Sequence, residues 1–248
     1  MRYLALACDY DGTLATRGRL TDATIAALER CRASGRRILL VTGREMEPLR
    51  EVCPRLDLFD LIVAENGGLI AEPATGRERP LAGPPTEALV QALRDRGVTP
   101  LSVGRVVVAS RDPYGPVILE AIRDCGLEWQ VIFNKGSLMV LPPGVNKATG
   151  LAAALAELGI SAHAVVGVGD AENDHAFLAA CECAVAVANA LPSLKAEADL
   201  VTVGDHGAGV EELIDLLLTN DLASVVAPGP LRPRVVGGAG APPTAIGG

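Results

Sequence analysis

Acidic and hydroxyl-bearing residues recur in this sequence just after short apolar runs. Residues 4–8 lead into Asp9, Tyr10, Asp11, Gly12 and Thr13. Residues 37–41 lead into Thr42, Gly43 and Arg44, and residues 61–64 into Glu65 and Asn66. Residues 164–168 lead into Gly169, Asp170, Glu172, Asn173 and Asp174. If each run is a strand of one parallel sheet, these turns lie along a single edge, the edge where open α/β sheets bind ligands. Three carboxylates, Asp9, Asp11 and Asp170, then converge. Close carboxylates repel one another unless a cation lies between them. Their oxygens are hard donors of the kind Mg²⁺ takes. Apart from His175, these turns hold neither histidine nor cysteine, which argues against zinc. Gly12, Gly43 and Gly169 allow tight turns that present N–H groups to an anion. An acidic cation site beside such loops suits a phosphate group bridged to Mg²⁺.

The chain has 248 residues, enough for one large domain or two modest ones. Hydrophobic residues make up 49%, charged residues 21% and aromatic residues 3%, so the core is built from Ala, Val, Leu and Ile. The net charge of −8 argues against a general nucleic-acid binder, whose affinity rests on Lys and Arg meeting phosphates, and against a ligand for anionic membranes. No run approaches the roughly 18 apolar residues of a membrane helix. Residues 1–8 run straight into Asp9 without a small-residue cleavage site and read as a buried first strand, not a signal peptide. The six cysteines include no Cys-x-x-Cys pair. They read as reduced, mostly buried thiols of a cytoplasmic protein.

Strand-like and helix-like segments alternate from residue 4 to residue 64. Thr21 is placed to cap a helix bearing Ile25, Leu28 and Cys31. This alternation predicts a parallel sheet with helices on its faces. Residues 72–85 hold four prolines and two glycines and read as a link or hairpin end. About 60 residues of α+β pattern follow, with a helix near 87–96, a strand near 102–109, a helix near 117–125 and strands near 130–133 and 138–141. The first pattern then resumes, with a helix over 148–158. The expected fold is α/β, a Rossmann-like parallel-sheet core over 1–82 and 144–226, with a small α+β cap inserted at 83–143. Residues 227–248, rich in Pro and Gly, read as a flexible tail.

Four segments carry a family resemblance. Asp9-Tyr10-Asp11-Gly12-Thr13-Leu14 resembles the D-x-D-G-T-L motif of the haloacid dehalogenase-like phosphohydrolases, and Val41-Thr42-Gly43-Arg44 is similar to their second motif. Asn146-Lys147 resembles the third, and Gly169-Asp170-Ala171-Glu172-Asn173-Asp174 the fourth. The resemblance spans residues 3–218 in the expected order. An insertion between the second and third motifs is similar to the branch with a type II cap, which includes Cof-like and sucrose-phosphatase-like members. The short cap is closer to that of archaeal-type phosphoglycolate phosphatases. Ala148 stands where the family usually has glycine.

The resemblance implies a Mg²⁺-dependent phosphatase acting on a small phosphorylated metabolite, a sugar phosphate or a phosphorylated organic acid. Asp9 is the implied nucleophile and Asp11 the general acid and base. Asp9, Asp170 and the main-chain carbonyl of Asp11 are the implied metal ligands. Thr42, Gly43 and Asn173 are assigned to the phosphoryl oxygens, Lys147 to charge balance, and Asp174 to orienting Lys147 or a metal-bound water. Arg44 and Asn66 are further substrate-side candidates. Lys135 is a rival to Lys147, set aside because it lies in the cap, where it joins Arg105 as a candidate for a second anionic group. A carboxyl group set among carboxylates would suit the acid role of Asp11. A phosphomutase or phosphotransferase, and a receiver-like regulatory module, are the competing readings. Monomer and homodimer are both open.

Overall fold

The computed structural model describes residues 1–223; the tail expected at 227–248 lies outside them. In chain order the first segment forms β1 (Ala5–Cys8), α1 (Asp22–Ala33), β2 (Arg37–Val41), α2 (Met46–Val52), β3 (Leu61–Ala64), β4 (Leu69–Glu72) and β5 (Arg77–Pro80). The middle segment forms α3 (Glu87–Asp95), β6 (Ser102–Val103), β7 (Val108–Arg111), α4 (Gly115–Asp124), β8 (Gln130–Asn134) and β9 (Ser137–Leu141). The last forms α5 (Lys147–Leu158), β10 (Val165–Gly169), α6 (His175–Ala180), β11 (Cys183–Ala186), α7 (Pro192–Glu197), β12 (Leu200–Val201) and α8 (His206–Asn220).

The larger sheet has the order β12-β11-β10-β1-β2-β3-β4-β5. From β12 to β3 every neighbour is parallel, as the alternating pattern predicts. The chain then turns back, and β4 and β5 extend the sheet antiparallel. The proline-rich stretch is thus partly a hairpin. Strands β1, β3, β10 and β11 are buried at every position, as continuous apolar runs must be in a sheet covered on both faces. Helix α1 packs beside α8, and α5 beside α6. Strand β1 is central, with Ala5 opposite Arg37 on one side and Val165 on the other. Its end therefore delivers Asp9 to the middle of the sheet edge, between the turns that follow β2 and β10.

The smaller sheet is antiparallel throughout, in the order β6-β7-β9-β8. One face packs on α3 and α4 through Leu89, Leu93, Ile118, Ile122, Leu138 and Val140. The other carries Ile132, Met139 and Leu141 and packs with Val106, Val107 and Val145. The single strand expected at 102–109 is in fact two strands and a turn, because the main-chain N–H groups of Arg105, Val106 and Val107 leave the ladder to donate to the Glu65 carboxylate. All six cysteines are free, five buried and Cys125 half-buried. Among the described residues no helix is long and apolar enough to cross a membrane.

A close backbone contact joins the turn after β3 to the start of α5. Gly67 has φ +104°, and a Cβ there would stand 1.9 Å from the Asn146 carbonyl oxygen. Asn146 caps α5, its Oδ1 accepting from the N–H groups of Ala148 and Thr149 at 2.9 and 3.0 Å. Gly67→Ala is therefore expected to lower stability by about 3 kcal/mol or more. Gly76→Ala, at φ +70° with nothing within 4 Å of the added carbon, should cost only about 1 kcal/mol. Urea unfolding midpoints of the two variants check the contrast, and equal losses would remove the steric explanation.

Candidate active site

Lys147 is the first residue of α5, and the Asn146 cap holds it there. Its side chain is 1% exposed, and its Nζ donates to Asp9 Oδ1 at 2.5 Å and to Asp174 Oδ1 at 2.6 Å. Asp174 is fully engaged, since its Oδ2 accepts from the N–H groups of Asp170 and Ala171 at 2.8 and 2.9 Å. Asp170 Oδ1 accepts from Thr13 Oγ1 at 3.0 Å. One oxygen from each of Asp9, Asp170 and Asp174 lies within 4.8 Å of the other two, and all three residues are buried. Gly12, at φ +92°, passes so close that a Cβ would meet Asp170 Oδ2 at 2.3 Å. Only glycine lets the turn after β1 approach the turn after β10 this closely.

The charges in this cluster do not balance. Burial on its own would lower the pKa of Lys147, but Asp174 and Asp9 outweigh it and raise the value, so Lys147 is held as an ammonium. Burial raises Asp9 well above the ordinary carboxylate value; Lys147 opposes this, and Asp174 and Asp170 add to it. Asp170 is raised for the same leading reason, against the pull of Lys135 and Thr13. One ammonium serves Asp9 and Asp174, and two buried acids press for either a proton or a further cation. The donors are all hard carboxylate oxygens, so the residues fit an Mg²⁺-like cation.

Thr42 follows β2 and is 1% exposed. Its Oγ1 accepts from the Arg44 N–H at 3.1 Å, which leaves the hydroxyl proton to donate elsewhere. The Arg44 guanidinium donates to both oxygens of Asp11, at 2.5 and 2.7 Å. Asp11 thus faces an arginine and does not stand among the other carboxylates as expected. The chain leaves the strand after Cys8 and turns at Gly12, which carries the Asp11 side chain to Arg44. Asn173 Nδ2 donates to Asn66 Oδ1 at 2.9 Å, bringing the turns after β3 and β10 together beside Gly43. Asn66 Nδ2 and Asn173 Oδ1 are buried without a hydrogen-bond partner. Orphaned polar atoms at this depth are costly unless a ligand or water engages them.

Asp9, Asp11, Thr42, Gly43, Arg44, Asn66, Lys147, Asp170, Asn173 and Asp174 stand along this edge, Arg105 is turned outward to Glu78, and some partners were not legible in the sequence. Lys135, set aside for its place in the inserted segment, reaches back to pair with Asp170. Met139 lies against Gly43. Asn189 Nδ2 donates to the Gly12 carbonyl at 2.8 Å, and its Oδ1 accepts from the His206 N–H, so it braces the turn after β1. His175 points away, to Glu197 and Ser193. The Cys8 thiol is fully buried and pushed up by burial, so it takes no part at this edge.

Comparison with known proteins agrees with this geometry. The family model described as haloacid dehalogenase-like hydrolase matches residues 6–109 and 124–214. The phosphoglycolate phosphatase of Methanothermobacter thermautotrophicus is 31% identical over 220 residues, covering 85% of this chain and 96% of that protein. Phosphoglycolate phosphatase 2 of Saccharolobus solfataricus is 28% identical over 230 residues, covering 90% and 96%. Among solved structures, a haloacid dehalogenase-like hydrolase from Bacteroides thetaiotaomicron superposes with a TM-score of 0.73 at 22% identity, covering 87% of this chain and 99% of that one. With its four motifs gathered at one sheet edge and the family model matching more than half of its length, the chain belongs to the haloacid dehalogenase-like hydrolase family.

Proposed function

We propose that this chain is a Mg²⁺-dependent phosphatase that cleaves a small phosphorylated metabolite through an aspartyl-phosphate on Asp9. The observation that carries the reading is the uncompensated carboxylate charge around Lys147. Three buried acids stand together, Lys147 serves only Asp9 and Asp174, and Asp170 has only the half-exposed Lys135, an arrangement suited to a divalent cation and a phosphoryl group. The larger sheet is the catalytic core, over 1–82 and 144–226, and the smaller sheet with α3 and α4, over 83–143, is the cap. The names of the phosphoglycolate phosphatases above direct attention to a phosphorylated organic acid as substrate.

In this reading Asp9 attacks phosphorus, and one hard displacement becomes two easier ones. Asp9, Asp170 and the Asp11 carbonyl would hold Mg²⁺, which would neutralise charge on the transferring phosphoryl group. Lys147 favours the charged form of Asp9 and orients it, and Asp174 fixes Lys147. The Thr42 hydroxyl and the Gly43 N–H donate to phosphoryl oxygens, and the side-chain amides of Asn66 and Asn173 add to them. Asp11 protonates the leaving oxygen and later takes a proton from the attacking water. To do so it must release one of its two bonds from Arg44, so Arg44 acts by placing Asp11 at the edge of the pocket.

Asp9→Asn keeps the shape of the nucleophile and removes its charge. Phosphate release from 2-phosphoglycolate or p-nitrophenyl phosphate is expected to fall by about 10³-fold, the upper end of the losses that follow removal of one charge-stabilising group. Normal turnover by the variant at saturating Mg²⁺ would refute the assignment of nucleophile.

A second prediction follows from the raised acids. Asp9 and Asp170 hold protons more tightly in the folded chain than in the unfolded chain. The metal-free protein therefore loses stability as pH rises from about 3.8 through their raised values. Mg²⁺ replaces those protons, so its stabilising effect grows with pH. At 100 times the dissociation constant the gain is about 2.7 kcal/mol, or roughly 5–10 °C in Tm for a domain of this size. Calorimetry with and without Mg²⁺ should show a larger increment at pH 7.5 than at pH 5, lost in Asp170→Asn. An increment equal at both pH values would contradict the charge argument.

A further inference from the structure

The inner face of the smaller sheet is apolar where it overhangs the catalytic edge. Ile132 and Met139 stand opposite each other on β8 and β9, and Met139 Sδ lies 2.9 Å from where a Cβ on Gly43 would be. The β8–β9 hairpin closes over Lys135 and Gly136, with φ +47° and +80°. That is the left-handed pair of a two-residue turn in which Asn or Gly is the usual first residue. Lys135 takes that unfavourable place, and its ammonium sits on Asp170, 3.0 Å from where a Cβ on Gly12 would stand. Other cations of the inserted segment are turned outward. Arg105 reaches Glu78 at 3.6 Å, and Arg96 and Arg123 reach Asp124. Beside Lys135, Asn134 shares the strand face of Ile132, and its Oδ1 is buried with nothing to accept.

We propose that Lys135 is the specificity residue of this site and binds a second anionic group, a carboxylate, on the substrate's leaving group. The proposal rests on the phosphatase reading and deepens it. Asp170 is assigned to the cation site, so a divalent cation there would take over the Oδ2 that Lys135 now holds. The hairpin still anchors the lysine beside Gly12 and Asn134, on the smaller-sheet side of the edge, where the leaving group of a phosphate held at Asp9 would lie. An ammonium on an otherwise apolar wall prefers an anion to a neutral group. The substrate class is a short phosphate monoester with a carboxylate a few atoms from phosphorus. The free Asn134 Oδ1 would accept from a hydroxyl on larger members of that class.

Binding separates this proposal from turnover. 3-Phosphonopropionate and propylphosphonate share one phosphonate and one chain length, and only the first carries a carboxylate. Calorimetric titration of each into the Mg²⁺-loaded protein should show the carboxylate form binding at least tenfold more tightly to the native chain. Lys135→Met should bring the ratio near one while leaving propylphosphonate affinity within about twofold, and Lys135→Arg should keep part of the preference. In the absence of phosphonate, Lys135→Met should also bind Mg²⁺ more tightly, because its competitor for Asp170 is gone. A ratio near one in the native chain, or the same ratio in Lys135→Met, overturns the proposal. Discrimination by Lys135 without release of phosphate from the corresponding esters would instead sink the phosphatase reading and leave Lys135 as an anion receptor.

Discussion

More negative charge is buried at the centre of this sheet than the protein's own cations beside it can neutralise, and the rest of the architecture serves to hold that charge in place. Asp9 lies at the end of the central strand, and Asp170 and Asp174 lie at the end of its parallel neighbour. Lys147 alone stands behind them in the core. Burying a carboxylate is costly unless it is paired and hydrogen-bonded. Asp174 meets that condition fully, with one ammonium and two main-chain N–H donors. Asp9 and Asp170 meet it only in part, and burial raises both. The cluster is therefore divided between an acid that holds the frame and two acids whose demand for positive charge is left for a ligand to meet.

That frame is built from close approaches more than from additional charge. Gly12 lets the turn after β1 touch Asp170, and Gly67 lets the turn after β3 touch the cap of α5. Thr13 and Asn189 then brace the first of these turns through Asp170 and the Gly12 carbonyl. The helix that carries Lys147 begins at Asn146, whose side chain and the Thr149 hydroxyl cap each other's main chain. Each device sets the position of a functional side chain without touching a substrate. Small errors in any of them would displace Asp9 from Lys147, and displacement of an ångström at such a site is enough to cost catalysis.

Much of this was legible in the sequence. The apolar runs that end in Asp9, Thr42, Glu65 and Gly169 mark the parallel strands, and the parallel topology alone brings their turns to one edge. Three features were not legible, each for a physical reason. The pairing of Asp11 with Arg44 depends on the chain leaving the strand at Cys8, which a two-residue alternation cannot reveal. The division of 102–109 into two strands depends on Glu65, a residue about 40 positions away whose carboxylate gathers three N–H groups. The reach of Lys135 depends on how the inserted sheet leans over the core, and no local pattern encodes that.

Two of the contacts that tie the smaller sheet to the larger one differ in what they permit. Glu65 is 1% exposed and accepts from Arg105, Val106 and Val107 at 2.7–3.0 Å, and a Cβ on Gly104 would stand 2.8 Å from its carboxylate. Hydrogen bonds to a charged group contribute about 1.5–3 kcal/mol each, and nothing on the catalytic edge competes for them. That tie is independent of the cation site. Lys135, by contrast, sits on an acid that the cation site also claims. Its side chain is 45% exposed, so it can leave at little cost in packing. The smaller sheet is thus fixed at the β6–β7 turn by a contact that needs no cation, and tied at the β8–β9 turn by one that a cation at Asp170 would contest.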